Sequence, residues 1–300
     1  MLELLGIFVN VLIPVFGVVG VGAFTARRWD LDYRPMSVIA YRVLAPAFVF
    51  RLLSDPQGLD GPVGKMVAAS LGTVAAVWVF YGVLSRNSSR EARVLELMST
   101  TFGNVGNLGF PIVLFALGED ALPEAGIHFL SITVGVFFMG IVAAARLRSG
   151  TAREAFVRVA TTPAIAVTPF AIGVSTTGTA LPVFVARSVD LLADAMIPVM
   201  LLTLGMQLAS ARMTRDVRRL SRVVATKLLV APAVFFGIAS VIGLSGDGRD
   251  AGLLFAAMPT AVLVGLISLE YELETEVSTA IILVSSLAAI PSLGLLLWLM

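Results

Sequence analysis

Thr101-Phe102-Gly103-Asn104-Val105-Gly106-Asn107-Leu108-Gly109-Phe110-Pro111 lies inside an apolar segment long enough to cross a bilayer. It holds glycines at 103, 106 and 109, two asparagines and a proline. Each of these works against a regular helix in hydrocarbon. Glycine leaves the backbone loose. Proline removes a donor and clashes with the preceding turn. Asparagine brings polar atoms that need partners. Irregular backbone at membrane depth is tolerated only where it is buried in protein or lines a wet cavity. The stretch therefore reads as a broken helix and as the binding centre.

The rest of the chain fits that setting. Of its 300 residues 58% are hydrophobic and only 14% charged, against about a quarter charged in a soluble domain. This composition marks an all-α polytopic membrane protein embedded in a lipid bilayer. There are no cysteines and a single histidine, His128, too few for a metal cluster. No phosphate-binding loop occurs, so any transport work would be driven by gradients or by a partner. Gly103, Gly106 and Gly109 superficially match a nucleotide fingerprint, but they follow no soluble strand.

A spanning helix needs about 20 mostly apolar residues. Cutting at charges and turn residues gives ten segments: 4–26, 36–53, 63–85, 94–117, 126–145, 159–177, 187–210, 223–244, 251–270 and 277–299. The first is too long for the core of a signal peptide. Basic residues alternate between the loops. Arg27, Arg28, Arg34, Arg86, Arg90, Arg93, Arg146, Arg148, Arg153, Arg158, Arg212, Arg215, Arg218, Arg219 and Arg222 fall on one face of a ten-helix arrangement. Arg51, Lys65, Arg187 and Arg249 fall on the other. The positive-inside rule puts the Arg-rich face in the cytoplasm. The expectation is a multi-pass protein of the cell membrane with both termini outside. The acidic loop Glu270–Glu276 breaks the trend and reads as a solvated turn.

The two halves look alike. Pro46 and Pro198 are 152 residues apart, Pro14 and Pro169 are 155 apart, and Pro111 and Pro259 are 148 apart. Five helices per half is an odd number, so the second half must enter from the opposite face. That predicts inverted repeats, residues 1–150 and 151–300, with the site where corresponding interrupted helices meet at the midplane. Those are the fourth and ninth segments. Simple proline kinks are the alternative reading.

On these features the chain resembles the auxin efflux carrier family, which includes plant auxin exporters and bacterial carriers of malonate and malate. The resemblance rests on Gly103–Pro111, Leu202-Thr203-Leu204-Gly205-Met206-Gln207-Leu208 and Ala257-Met258-Pro259-Thr260-Ala261-Val262. It implies a fold like that of the bile acid sodium symporters, with the fourth and ninth helices crossing at their breaks. It implies a scaffold of helices 1, 2, 6 and 7 and a transport domain of helices 3–5 and 8–10. Elevator-like alternating access is also implied, as is homodimerisation in some members. Asn104, Pro111 and Pro259 match the family positions. Leu263 stands where many relatives have asparagine, and no acid lies between Met66 and Tyr81 on the third helix.

A break presents unpaired N–H groups and the positive end of a half-helix to the cavity. A small organic anion suits that end, with Gly103, Asn104, Asn107, Pro111, Pro259 and Thr260 around it. Amide side chains both donate and accept. Freed carbonyls would instead suit Na⁺, so the coupling ion, H⁺ or Na⁺, stays open. Arg42, within the second helix, either attracts the anion or pairs with Asp190 or Asp194. Gln207 and Thr203 either line the cavity or bond between helices. Lys227 reads as a snorkelling anchor and His128 as an outer surface residue. An enzyme would need convergent catalytic pairs within the helices, and the sequence offers none at workable spacing. No cofactor and no nucleic acid is expected. A bile acid-type symporter is the runner-up, and a channel or sensor stands behind it.

Overall fold

Four prolines sit just past a widened helical turn. In the computed structural model, which describes residues 2–54, 62–147, 153, 157, 160–211 and 216–300, π-helical turns occupy Phe8–Leu12, Ala40–Leu44, Val105–Gly109 and Thr226–Val230. Each ends two residues before Pro14, Pro46, Pro111 or Pro232. A proline cannot bond the carbonyl four residues back, and its ring crowds that carbonyl. Those carbonyls belong to Asn10, Arg42, Asn107 and Leu228, the middle residue of each turn. Opening the turn by one residue relieves the crowding. Pro169, Pro198 and Pro291 stand inside helices without such a turn, so proline permits the widening without dictating it.

The helices are α1 (residues 2–29), α2 (Arg34–Ser54), α3 (Val63–Leu84), α4 (Arg90–Thr101), α5 (Val105–Leu117) and α6 (Leu122–Leu147). They continue as α7 (Pro163–Thr177), α8 (Val183–Ala209), α9 (Val217–Val241), α10 (Gly246–Ala256), α11 (Val262–Glu270) and α12 (Thr275–Leu299). Among the described residues, seven helical stretches are long and apolar enough to cross a membrane. The chain is an all-helical, multi-pass membrane protein. The fourth and ninth apolar segments each come as two helices, α4 with α5 and α10 with α11. The expected division at residue 150, and Arg148, Arg158, Arg212 and Arg215, lie outside the described residues.

Packing sorts the helices into two sets. α1 runs along α8, and α2 lies against α7 and α8. In the other set α3 packs on α4, α6 and α9, α10 on α6 and α9, and α11 on α12. The α1–α8 contact is backbone on backbone. A Cβ at Gly205 would collide with the Val19 carbonyl, and one at Gly22 with the Leu202 carbonyl. Small residues at such a crossing are how membrane helices gain close van der Waals contact.

The centre of the molecule is aromatic. Phe110, fully buried, meets Phe48 edge-on at 4.9 Å, Phe255 edge-on at 5.4 Å and Phe129 at 5.4 Å between ring centroids. Gly109 makes this possible, because a Cβ there would stand 2.8 Å from the Phe255 ring. Such pairs favour edge-to-face geometry and add to the burial energy.

Candidate functional site

The site is built where two helices stop. α4 ends at Thr101, and Phe102 then turns to extended backbone at φ −80°, ψ 98°. α10 ends at Ala256, and α11 begins only at Val262. Pro259 falls in this second gap, where it has no N–H to give and biases Met258 away from helix. The gaps meet as one rung of antiparallel pairing between Gly103 and Thr260. The Asn104 N–H donates to the Pro259 carbonyl at 2.7 Å, and the Ala261 N–H to the Phe102 carbonyl at 2.8 Å. Each break thus satisfies the backbone groups of the other, as burial in an apolar interior requires.

Thr260 is tied further. Its hydroxyl donates to the Ser99 carbonyl at 2.7 Å. Its N–H donates to Ser285 Oγ of α12 at 3.1 Å. Only the acceptor side of its hydroxyl is left for a ligand.

The asparagines are buried and incompletely paired. Asn104 is 2% exposed and Asn107 1%. The side-chain Nδ2 of both lacks a hydrogen-bond partner. Asn107 Oδ1 accepts from the Tyr41 hydroxyl at 3.3 Å. A buried amide N–H left unpaired is costly, and here two lie three residues apart. Tyr41 and Asn107 each sit on a π-helical turn, a feature often found at functional sites.

The structure brings together Gly103, Asn104, Pro259 and Thr260, with Asn107 one turn beyond. Pro111 lies just past Asn107, buried in the first turn after the widened segment. Gln207 lies on α8, which packs on the Val105–Gly109 turn. Its Nε2 donates to Ser37 Oγ of α2 at 3.1 Å, while its Oε1 is unpartnered. The Thr203 hydroxyl bonds back to the Val199 carbonyl of its own helix at 2.7 Å. Arg42 is exposed. Of the two partners expected for it, Asp194 pairs instead with Arg51.

Three sequence readings are corrected. Lys227, expected as a snorkelling anchor, is 2% exposed and donates to the Ala256 carbonyl at 2.7 Å. His128, expected at the surface, is fully buried. Its Nε2 meets the Gly248 carbonyl at 2.6 Å and its Nδ1 the Ser70 hydroxyl at 2.7 Å. The acidic loop before α12 is not simply solvated. Glu274 pairs with Arg219, whose Nε also lies 2.6 Å from buried Glu96. Sequence reasoning also missed Tyr41 and Ser285. One signal was available for Lys227 and His128: each is a lone titratable residue inside an apolar run.

A vestibule of about 750 Å³ opens at one end of this region, lined by Phe48, Arg51, Leu114, Glu124, Asp194 and Pro198 among others. It lies between the two packing sets, with α2 and α8 on one side and α5 and α6 on the other. Phe48, on its lining, meets Phe110 edge-on.

The comparisons point to membrane transport. The family model described as membrane transport protein matches residues 165–297. Over 97% of its length the chain is 26% identical to a protein of Rhizobium meliloti named "Putative malonate transporter", covering 95% of that relative. It is also 23% identical to an uncharacterized transporter of Methanothermobacter thermautotrophicus, over 96% of this chain and 93% of the relative.

Proposed function

We propose, from the chain's similarity to membrane transport proteins, that it is a secondary carrier of a small organic carboxylate across the cell membrane. The observation that carries this reading is the pair of buried asparagine amides beside two mutually paired helix breaks. A carboxylate offers the acceptor lone pairs that Asn104 and Asn107 lack, next to the N-terminal end of α5, which favours negative charge. Malonate is the first substrate to test, because a relative matched along nearly its whole length carries that name.

The mechanism we infer is alternating access of the elevator kind, in which one body slides past a fixed one. The two packing sets support it. α1, α2, α7 and α8 would be the scaffold, and α3–α6 with α9–α12 the moving body. The 148-residue offset of Pro111 and Pro259, with the antiparallel rung beside it, supports inverted repeats. The vestibule on the seam supports access from one side, closed by Phe48 and Phe110. The arginine distribution supports both termini outside.

Uptake of labelled malonate, other dicarboxylates and monocarboxylates into proteoliposomes tests the reading. Saturable uptake of a carboxylate by the wild type, lost in Asn104→Ala at equal reconstitution, is the expected result. Uptake of no carboxylate overturns the substrate class, and wild-type rates from Asn104→Ala overturn the site.

A further inference from the structure

The two breaks leave helix ends of both signs at one place. The N-terminal ends of α5 and α11 suit an anion. The C-terminal ends of α4 and α10 suit a cation, each carrying about half a negative charge. The last-turn carbonyls of α10 are accounted for one by one. Those of Leu253 and Leu254 accept from the Ala257 N–H, and that of Phe255 from the Met258 N–H at 3.3 Å. The Ala256 carbonyl accepts from Lys227.

Lys227 reaches this spot from the π-helical turn that Pro232 follows, with its ammonium buried. Its surroundings are the small cavity lined by Ser70, Thr73, Thr100, Thr101, Phe235 and Phe255, among others, with no carboxylate in the lining. The ammonium also lies 3.5 Å from where a Cβ of Gly103 would stand, while the Phe255 carbonyl is 3.3 Å from that point. A glycine at 103 therefore lets the charge approach the break. The buried acid on α4, Glu96, is engaged by Arg219 at 2.6 Å. A buried ammonium without a counter-ion is costly, and about two half-charges converging from α4 and α10 offset one positive charge.

We propose that Lys227 is the resident cation of the crossing, occupying the place that a coupling Na⁺ would take, so that this chain has no Na⁺ site there. Carriers with broken helices hold coupling cations on freed carbonyls and half-helix C-terminal ends. Here the Ala256 carbonyl, at one such end, already has a covalently tethered positive charge. The inference rests on reading the breaks as the transport centre, and it removes a Na⁺ site from that crossing.

The test is thermal unfolding of the purified protein in NaCl, KCl and choline chloride at equal ionic strength, without substrate. The wild type is expected to unfold at the same temperature in all three. Lys227→Ser vacates the position and leaves a hydroxyl beside the Ala256 carbonyl, so its unfolding temperature should rise in Na⁺ or K⁺ over choline. A Na⁺-specific rise in the wild type overturns the proposal, and so does a variant indifferent to all three cations. The wild-type measurement decides even if Lys227→Ser fails to fold. Repeating the wild-type series with malonate separates this from the carrier reading. A malonate shift equal in Na⁺ and choline supports both. No shift with any carboxylate sinks the substrate class and leaves the cation result standing.

Discussion

Gly103 and Thr260 pair backbone to backbone, each in a short gap between two helices. The pairing fixes the relative position of α4, α5, α10 and α11 through a few hydrogen bonds rather than a broad interface. Thr260 carries more of this than Gly103, because its hydroxyl also holds the Ser99 carbonyl at the end of α4. Thr260→Val keeps the shape and removes that bond. The expected loss is about 1 kcal/mol, more if the Ser99 carbonyl finds no other partner. Thr260→Ser should stay close to the wild type. Thermal unfolding in detergent checks both, and a valine variant as stable as the serine variant contradicts the role.

Asn104 should be the side chain that recognition depends on most. Its Nδ2 is buried and unpaired without ligand, so a bound carboxylate gains a bond at no cost to the protein. A hydrogen bond to a charged group contributes about 1.5–3 kcal/mol, which is roughly a tenfold to hundredfold change in affinity. Asn104→Ala is expected to weaken malonate binding by that amount at unchanged expression. Asn104→Asp should be worse despite its equal size, because it brings a like charge to the ligand. Calorimetric titration of both variants distinguishes a lost donor from a lost shape.

Much of this was legible before the structure. Glycines at 103, 106 and 109 with Pro111 announce a helix that cannot run through, and the helix does stop at Thr101. Pro259 announces the second gap for the same local reason. What the sequence hides is which side chain points where. Lys227 follows closely on an Arg-rich loop, where a long basic side chain ordinarily reaches the membrane surface. It lies instead within the widened turn Thr226–Val230 with its ammonium held by a carbonyl 29 residues away. His128 follows an acidic loop and looks peripheral, but Gly252 on α10 has no side chain to keep its ring out. Tyr41 was silent because its partner, Asn107, lies 66 residues away. Long-range pairing of that kind has no local signature.

Tyr41→Phe isolates the hold on Asn107. The ring stays and only the hydroxyl is lost, so Asn107 Oδ1 loses its donor and the amide is free to turn. Stability should change by about 1 kcal/mol or less. Half-saturation for malonate should rise several-fold while maximal uptake changes little, the mark of an interaction that orients the binding group. A fall in maximal uptake with half-saturation unchanged would point to a role in the conformational step instead.

The α1–α8 contact predicts opposite outcomes for two glycines. A methyl at Gly205 meets the Val19 carbonyl and the Ala23 nitrogen, both backbone, so neither can swing aside. Gly205→Ala should cost about 1–3 kcal/mol, as overpacking does. Gly17, on the same α1, has nothing within 4 Å of the point a methyl would occupy. Gly17→Ala should be neutral or mildly stabilising, since alanine is the better helix former. Unfolding temperatures of the pair, measured side by side, test whether α1 and α8 are locked at backbone distance. Equal behaviour would mean they are not.

Glu96 and Arg219 form the last and most severe test, because they place a charge pair inside the body of the protein. Glu96 is 1% exposed and Arg219 is 11% exposed in its side chain. The pair ties α4 to the start of α9, and Glu274 extends it to the loop before α12. Removing Arg219 leaves a carboxylate in an apolar interior, a loss of about 3–5 kcal/mol. Arg219→Met should therefore unfold well below the wild type. Glu96→Gln removes the charge and keeps the shape, and Arg219 still has Glu274, so its loss should be smaller. The double variant Glu96→Gln with Arg219→Met no longer buries an unpaired charge. It should recover much of what Arg219→Met alone loses, giving a coupling of about 1–3 kcal/mol. Three unfolding curves and the wild type complete the cycle. Simple addition of the two single losses would show that the pair does not act as a buried unit, and that Arg219 matters through Glu274 alone.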